Sequence, residues 1–394
     1  GDQAPSARGP RLAGQRRQRG AAMKAPQGAA QWHPDPSLLQ TVSSLTLLLR
    51  HLPSERASST GQVHLVRYLS ARSIAKALSM ALASQQQLAS TGKNAEILLR
   101  LLSLLDAVTT LPFSKCTAVG TGPGEFRDPS PALTVADLQT GVTSSRGPEL
   151  AASVRSLLDD EHLIGALMTC MTAAVVAGNL NLRSGQRHID TQVNRPPRTI
   201  IEQCNCGFRV LASIGRLDHE RLQAGVFGGG DATGSPGAKS CLEYQHLCGK
   251  LMSALGLGVE FGSDGAVASA EAEQCLDLII TFIGYACLEN DFAKEQLRWG
   301  SVSYSGESQS ILTRLLRLPF AFYSEPRRMK VLFPTLILAG IDNRENRDIM
   351  AKEIDLSLLG RWLKRETTDL HESVVLSWRI PEVLWQRALC QFAN

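Results

Sequence analysis

The chain has 394 residues, of which 43% are hydrophobic, 5% aromatic and 20% charged. That length suffices for one large domain or two, and so few aromatics suit Leu- and Ala-rich helix packing better than a β-sandwich. Net charge is +4; six of the 41 basic residues and two of the 37 acidic ones lie in residues 1–36, so the remainder balances at 35 each and is no bulk polycation of the kind expected of a general nucleic-acid-binding domain.

Residues 1–36 are rich in Gly, Ala, Pro, Gln and Arg, with Arg16-Arg17-Gln18-Arg19 at their centre. They read as a disordered basic tail. The stretch lacks the apolar core of a signal peptide. With Gly1 where an initiating Met is expected, the chain reads as a piece of a longer protein. Residues 37–116 read as the first helices of a helical array. Ser37 stands ahead of Leu38, Leu39, Val42, Leu45, Leu48, Leu49 and Leu52, Val63–Leu88 follows, and Ile97–Val108 closes the group before Leu111-Pro112. Residues 117–148, crowded with Gly, Pro, Ser and Thr, form a low-complexity loop.

Residues 149–394 are the C-terminal helical region. A helical pattern runs from Glu149 to Val176. In Arg198–Leu217 the residues Ile200, Ile201, Cys204, Phe208, Leu211 and Ile214 share a stripe, and Leu242–Leu257 continues the series after a flexible Gly228–Gly237. Residues 275–364 then repeat one unit. Cys275–Leu288 runs into Glu289-Asn290-Asp291, Ala293–Leu297 and a helix at Ser310–Leu318. About 53 positions on, Val331–Ile341 runs into Asp342-Asn343-Arg344, Asn346–Met350 and a helix at Asp355–Leu363. Pro381 starts a last helix at Glu382. Strand signals are scarce. The expected fold is all-α: an armadillo- or HEAT-like helical-repeat solenoid with a disordered N-terminal tail and loop inserts. No apolar run reaches the ~18 residues of a membrane span.

Motifs for chemistry are wanting. Gly228–Gly234 lacks the Gly-Lys-Ser/Thr ending of a phosphate loop and follows no strand. Cys204 and Cys206, one residue apart on a helix, aim about 200° apart and suit no shared zinc ion. The nine cysteines read as buried reduced thiols. There is no Gly-x-Ser-x-Gly elbow and no histidine motif, so no enzyme, cofactor, metal or small-molecule substrate is expected. The remaining signal is surface charge. Residues 314–365 hold eleven basic side chains against six acidic ones. Arg314, Arg317, Arg327, Arg328, Lys330, Arg344 and Arg347 are the candidate partner-binding residues, a basic ridge for an acidic protein surface or for RNA phosphates. Trp299, Trp362, Trp378 and Trp385 read as packing residues between repeats.

Leu297-Arg298-Trp299-Gly300, Leu318-Pro319-Phe320-Ala321-Phe322-Tyr323-Ser324-Glu325-Pro326, Val331–Leu336 and Pro381–Trp385 resemble the C-terminal region of the SCAPER family, S-phase cyclin A-associated proteins of the endoplasmic reticulum. The match is densest over 276–350, and the segments 117–148, 228–240 and 301–308 look like loop expansions. The resemblance implies a non-enzymatic adaptor. Its partners would be a cyclin A–kinase complex, or a deadenylase and ribosome-associated factors in ribosome-coupled mRNA decay, in the cytoplasm at the endoplasmic reticulum or in the nucleus. The family's zinc finger lies upstream and has no counterpart here, and its cyclin-binding segments lie outside the matched region. The alternative reading is a module that binds ribosomal or other RNA through the ridge.

Overall fold

The structure, a computed structural model, describes residues 92–110, 152, 154–155, 163–177, 198–228, 243–252, 255, 270–299, 301–304 and 307–392. The basic tail, the helices expected over 37–88, the loops at 117–148 and 178–197 and the glycine-rich segment after Gly228 lie outside the described residues.

What is described is nearly all helical. The helices are α1 (Gly92–Thr110), α2 (Leu163–Ala177), α3 (Arg198–Leu217), α4 (His219–Phe227), α5 (Ala270–Cys287) and α6 (Asp291–Trp299), then α7 (Ile311–Leu316), α8 (Ala321–Ser324), α9 (Pro326–Gly340), α10 (Arg344–Met350), α11 (Ser357–Thr368), α12 (Leu370–Ser377) and α13 (Glu382–Phe392). A further helical segment covers 243–252.

The long helices pack side by side in the order α1, α3, α5, α9. An inner helix of such a row must be apolar on two faces. This is why α3 buries Val210, Ala212 and Ser213 besides its predicted stripe, and why α5 is buried almost continuously from Cys275 to Cys287. Close approach is bought with small residues: a Cβ on Gly284 would lie 2.7 Å from the Thr335 hydroxyl of α9. The aromatic side chains join neighbouring helices, Phe208 to Phe282 at 5.6 Å and Phe227 to Phe292 at 5.7 Å between ring centroids.

The repeat read from the sequence has a backbone counterpart. Helix α5 ends in a turn where Glu289 has φ 51°, and α9 ends where Asp342 has φ 57°. These two residues are 53 positions apart and are the non-glycine residues with positive φ among those described. In both copies the next residue is an asparagine that caps the short helix. Asn290 Oδ1 accepts from the Ala293 N–H at 2.9 Å, and Asn343 Oδ1 from the Asn346 N–H at 3.0 Å. One left-handed residue followed by an Asx cap reverses the chain within three positions. A related junction precedes them: Asp218 caps α4 through the Arg221 N–H at 3.0 Å, with no left-handed residue. That short helix lacks a repeated apolar string, so nothing in the sequence announces it.

The copies diverge after their short helices. Between α6 and α7 the chain forms a hairpin, β1 (Ser301–Tyr304) antiparallel to β2 (Glu307–Ser310), with Ser301 opposite Ser310. The sequence predicts a loop over 301–308. The connection Ser305-Gly306 is of the length and type that closes tight hairpins, but its strands are Ser-rich and lack the β-branched alternation that announces them. The second copy passes from α10 to α11 in a short turn. Pro326 opens α9, five residues ahead of the expected Val331, and Pro381 precedes α13 as expected.

Candidate partner-binding surface

The seven cations expected to form a ridge lie on α7, α9, α10 and their junctions, and most are engaged within the chain. Arg317, the residue closing α7, pairs with Glu353 at 3.1 Å. Arg328 contacts Glu325 at 2.9 Å and Glu273 of α5 at 3.3 Å, with its guanidinium 5.1 Å from the Phe322 ring centre and its side chain only 18% exposed. Lys330 is ion-paired with Glu372 of α12. Arg344 is 85% exposed and 3.8 Å from Asp348 on its own helix. Arg347 donates to the Gly340 carbonyl and to Gln391 Oε1, both at 2.7 Å. Arg314 is half-buried on α7, and Arg327 is exposed in the first turn of α9. The structure therefore divides the ridge. Arg328, Lys330 and Arg347 bind helices to one another, whereas Arg317, Arg327 and Arg344 point outward.

A second set of polar residues, not singled out from sequence, holds the repeat copies together. Arg298 of α6 donates to Asn343 Oδ1 at 2.9 Å and Asn346 Oδ1 at 3.0 Å, and pairs with Glu345 at 2.8 Å. Asn346 is fully buried and donates to the Lys294 carbonyl at 3.1 Å and the Ala339 carbonyl at 2.7 Å. Upstream of the repeat, Gln223 of α4 donates to the carbonyls of Tyr285 and Leu288, at 3.1 and 2.6 Å. In each case a short helix satisfies polar groups at the turn that follows the next long helix. Exposed backbone at a helix end needs such partners. The 53-residue offset was the available signal for this seam, because it places Asn343 and Asn346 opposite Asn290 and Ala293.

The last helix is fastened to the second turn. Asp342 receives hydrogen bonds from Arg387 at 2.8 Å and from Gln391 Nε2 at 2.7 Å, and its own N–H donates to Gln391 Oε1 at 2.9 Å. Partial burial pushes the Asp342 carboxyl upward. The hydrogen bonds from Arg387 and Gln391 and the charges of Arg387 and Lys294 outweigh it and hold the group below the usual carboxylate range.

The tryptophans whose side chains are described serve packing. Trp362 meets Phe333 edge-on at 5.5 Å, Trp378 lies under Arg216 at 4.0 Å, and Trp385 donates to the Ile380 carbonyl at 2.9 Å. Cys204 and Cys206 diverge as their spacing requires. Cys204 meets Cys275 of α5, and Cys206 lies 3.9 Å from Ser103 of α1. The hydrogen bond to Cys204, followed by burial, raises the Cys275 thiol well above its ordinary value. Among the described residues no three His, Cys, Asp or Glu side chains gather as metal ligands, and no helix is long and apolar enough to cross a membrane.

The fold and its seams define a nearly all-helical protein whose conspicuous polar residues hold helices in register. Over 123 residues the chain is 31% identical to the human S phase cyclin A-associated protein in the endoplasmic reticulum, so the resemblance read from Leu318–Pro326 and its neighbours is found. The match covers 31% of this chain and 8% of that much longer protein. No family model matches the chain.

Proposed function

We propose that the chain is a non-enzymatic adaptor: stacked helical units that continue as an armadillo- or HEAT-like solenoid and hold protein partners against their outer surface. The observation that carries this reading is the polar seam. Arg298, Asn343 and Asn346 fix one unit against the next, so the array is rigid enough to present side chains at set spacings. The similarity to a protein named for cyclin A association and for the endoplasmic reticulum supports a regulatory setting at that membrane surface. Within it, the chain would bridge a cyclin A–kinase complex, or a ribosome-bound complex and a deadenylase, to their effectors. The outward cations Arg317, Arg327 and Arg344 would steer an acidic partner surface.

The test uses the full chain with purified cyclin A–kinase complex, deadenylase complex and ribosomes, each titrated separately. The reading expects saturable binding of one of them at micromolar or tighter affinity, weakened by Arg317→Glu with Arg327→Glu. Unaltered binding after that double reversal removes the cations from the interface, and no binding to any of the three removes the adaptor.

A further inference from the structure

Helix α13 is joined to α12 by residues 378–381, and this link is moored almost to its end. The Trp378 ring lies under Arg216 of α3, and its carbonyl accepts from the Tyr285 hydroxyl of α5 at 3.0 Å. Arg379 donates to the Val331 carbonyl and to the Thr335 hydroxyl of α9, both at 3.2 Å, and Ile380 is fully buried. Pro381 follows. It has no N–H, so it cannot carry the hydrogen-bonded backbone of α12 on into α13. The first place where the chain can swing without breaking its moorings to α3, α5 and α9 is therefore Pro381.

Beyond that pivot the attachment is thin. Helix α13 buries three of its 11 residues, Leu384, Ala388 and Phe392, whereas α5 buries twelve of 18. The three stand at i, i+4 and i+8, a single stripe of the helix. The helix lies on α11, and Phe392 reaches Gly340 at the end of α9, where a Cβ would stand 2.8 Å from the ring. Beside the pivot, Trp385 Nε1 donates to the Ile380 carbonyl. Toward the far end the hold is polar. Asp342 accepts from Arg387 and Gln391, and Gln391 Oε1 accepts from the Asp342 N–H and from Arg347. The Arg387 and Asp342 side chains are 53% and 40% exposed, so water competes for each of these bonds. A segment with few buried apolar contacts and a solvent-exposed fastening opens more readily than the core it rests on.

We propose that α13 is a hinged latch. It swings about Pro381 as one unit while the rest of the fold stays closed. The clasp of Asp342, Arg387 and Gln391 holds it shut, and its opening bares the apolar seat that Leu384, Ala388 and Phe392 fill against α11 and α9. The motion needs no partner and stands apart from the adaptor reading.

The experiment is native-state hydrogen exchange of the full chain, read by mass spectrometry at a series of urea concentrations below the unfolding transition. In wild type the α13 amides should exchange together, about a hundredfold or more faster than those of α5, and with little dependence on urea, because a local opening exposes little new surface. Arg387→Ala with Gln391→Ala should speed α13 by about tenfold through the lost clasp bonds and leave α5 unchanged. Val383→Ser, on the exposed face of the same helix and outside the clasp, should leave both rates as they are. If α13 exchanges only together with α5, in the same urea-dependent step, the helix belongs to the core and there is no latch. An α13 rate unmoved by the double variant, or an equal acceleration of α13 and α5, overturns the clasp.

Discussion

Asn346→Leu is the sharpest probe of the seam between units. The two side chains are nearly equal in size, so the change deletes polar contacts without opening a cavity. Asn346 donates to the carbonyls of Lys294 and Ala339 and accepts from Arg298 at 3.0 Å. Leucine leaves two buried carbonyls without those donors, at about 1–1.5 kcal/mol each, and takes one of three acceptors from Arg298, about 1 kcal/mol more. The added apolar burial returns roughly 1 kcal/mol. The net loss is about 2–3 kcal/mol, or about 4–6 °C in Tm at about 2 °C per kcal/mol for a unit of this size. Urea unfolding of the full chain, followed by far-UV circular dichroism, measures it. Asn290→Ala is the comparison, because Asn290 holds a single cap contact in the first copy and should lose about 1 kcal/mol. If Asn346→Leu costs no more than Asn290→Ala, the units are not joined through Asn346 and the argument for a rigid seam fails.

The two left-handed turns should respond oppositely to glycine. Glu289→Gly relieves a strained backbone and should stabilise by up to about 1 kcal/mol, whereas Asp342→Gly also releases α13 and should destabilise, both read from urea midpoints. The depressed Asp342 carboxyl contributes stability that is full above its unfolded value near 3.8 and is lost as pH falls through the lower folded value. Asp342→Asn, which tolerates the same backbone, should therefore flatten the fall in midpoint between pH 5 and pH 3, about one unit either side of that value, and an unchanged profile would refute the assignment. Gly284→Ala forces a methyl to 2.7 Å from the Thr335 hydroxyl and should cost about 1–3 kcal/mol, with part restored by Thr335→Ala beside it.

Much of the helical framework was legible because it is written locally. Apolar stripes placed α1, α3, α5 and α9, Pro381 placed the start of α13, and the 53-residue offset aligned Asn290 with Asn343. What was not legible depends on distant residues. The ridge of cations was visible as composition, but the acids that engage it, Glu273, Glu353 and Glu372, lie 36 to 55 positions from their partners. Only the fold shows that Arg328 and Lys330 face inward. Phe320 stands in one string with Phe322 and Tyr323, and nothing local distinguishes the exposed ring from the buried one. The hairpin of 301–304 with 307–310 is not legible because its strands are rich in serine, nor is α4, which is short and follows α3 after a single residue.

The central claim is that the chain holds a protein partner on a rigid helical surface. Its most direct test is the affinity of the full chain for purified cyclin A–kinase complex, deadenylase complex and ribosomes. The account predicts saturable, micromolar or tighter binding of one of them, lowered by Arg317→Glu with Arg327→Glu in a chain that melts like wild type. Absence of binding to all three would contradict it.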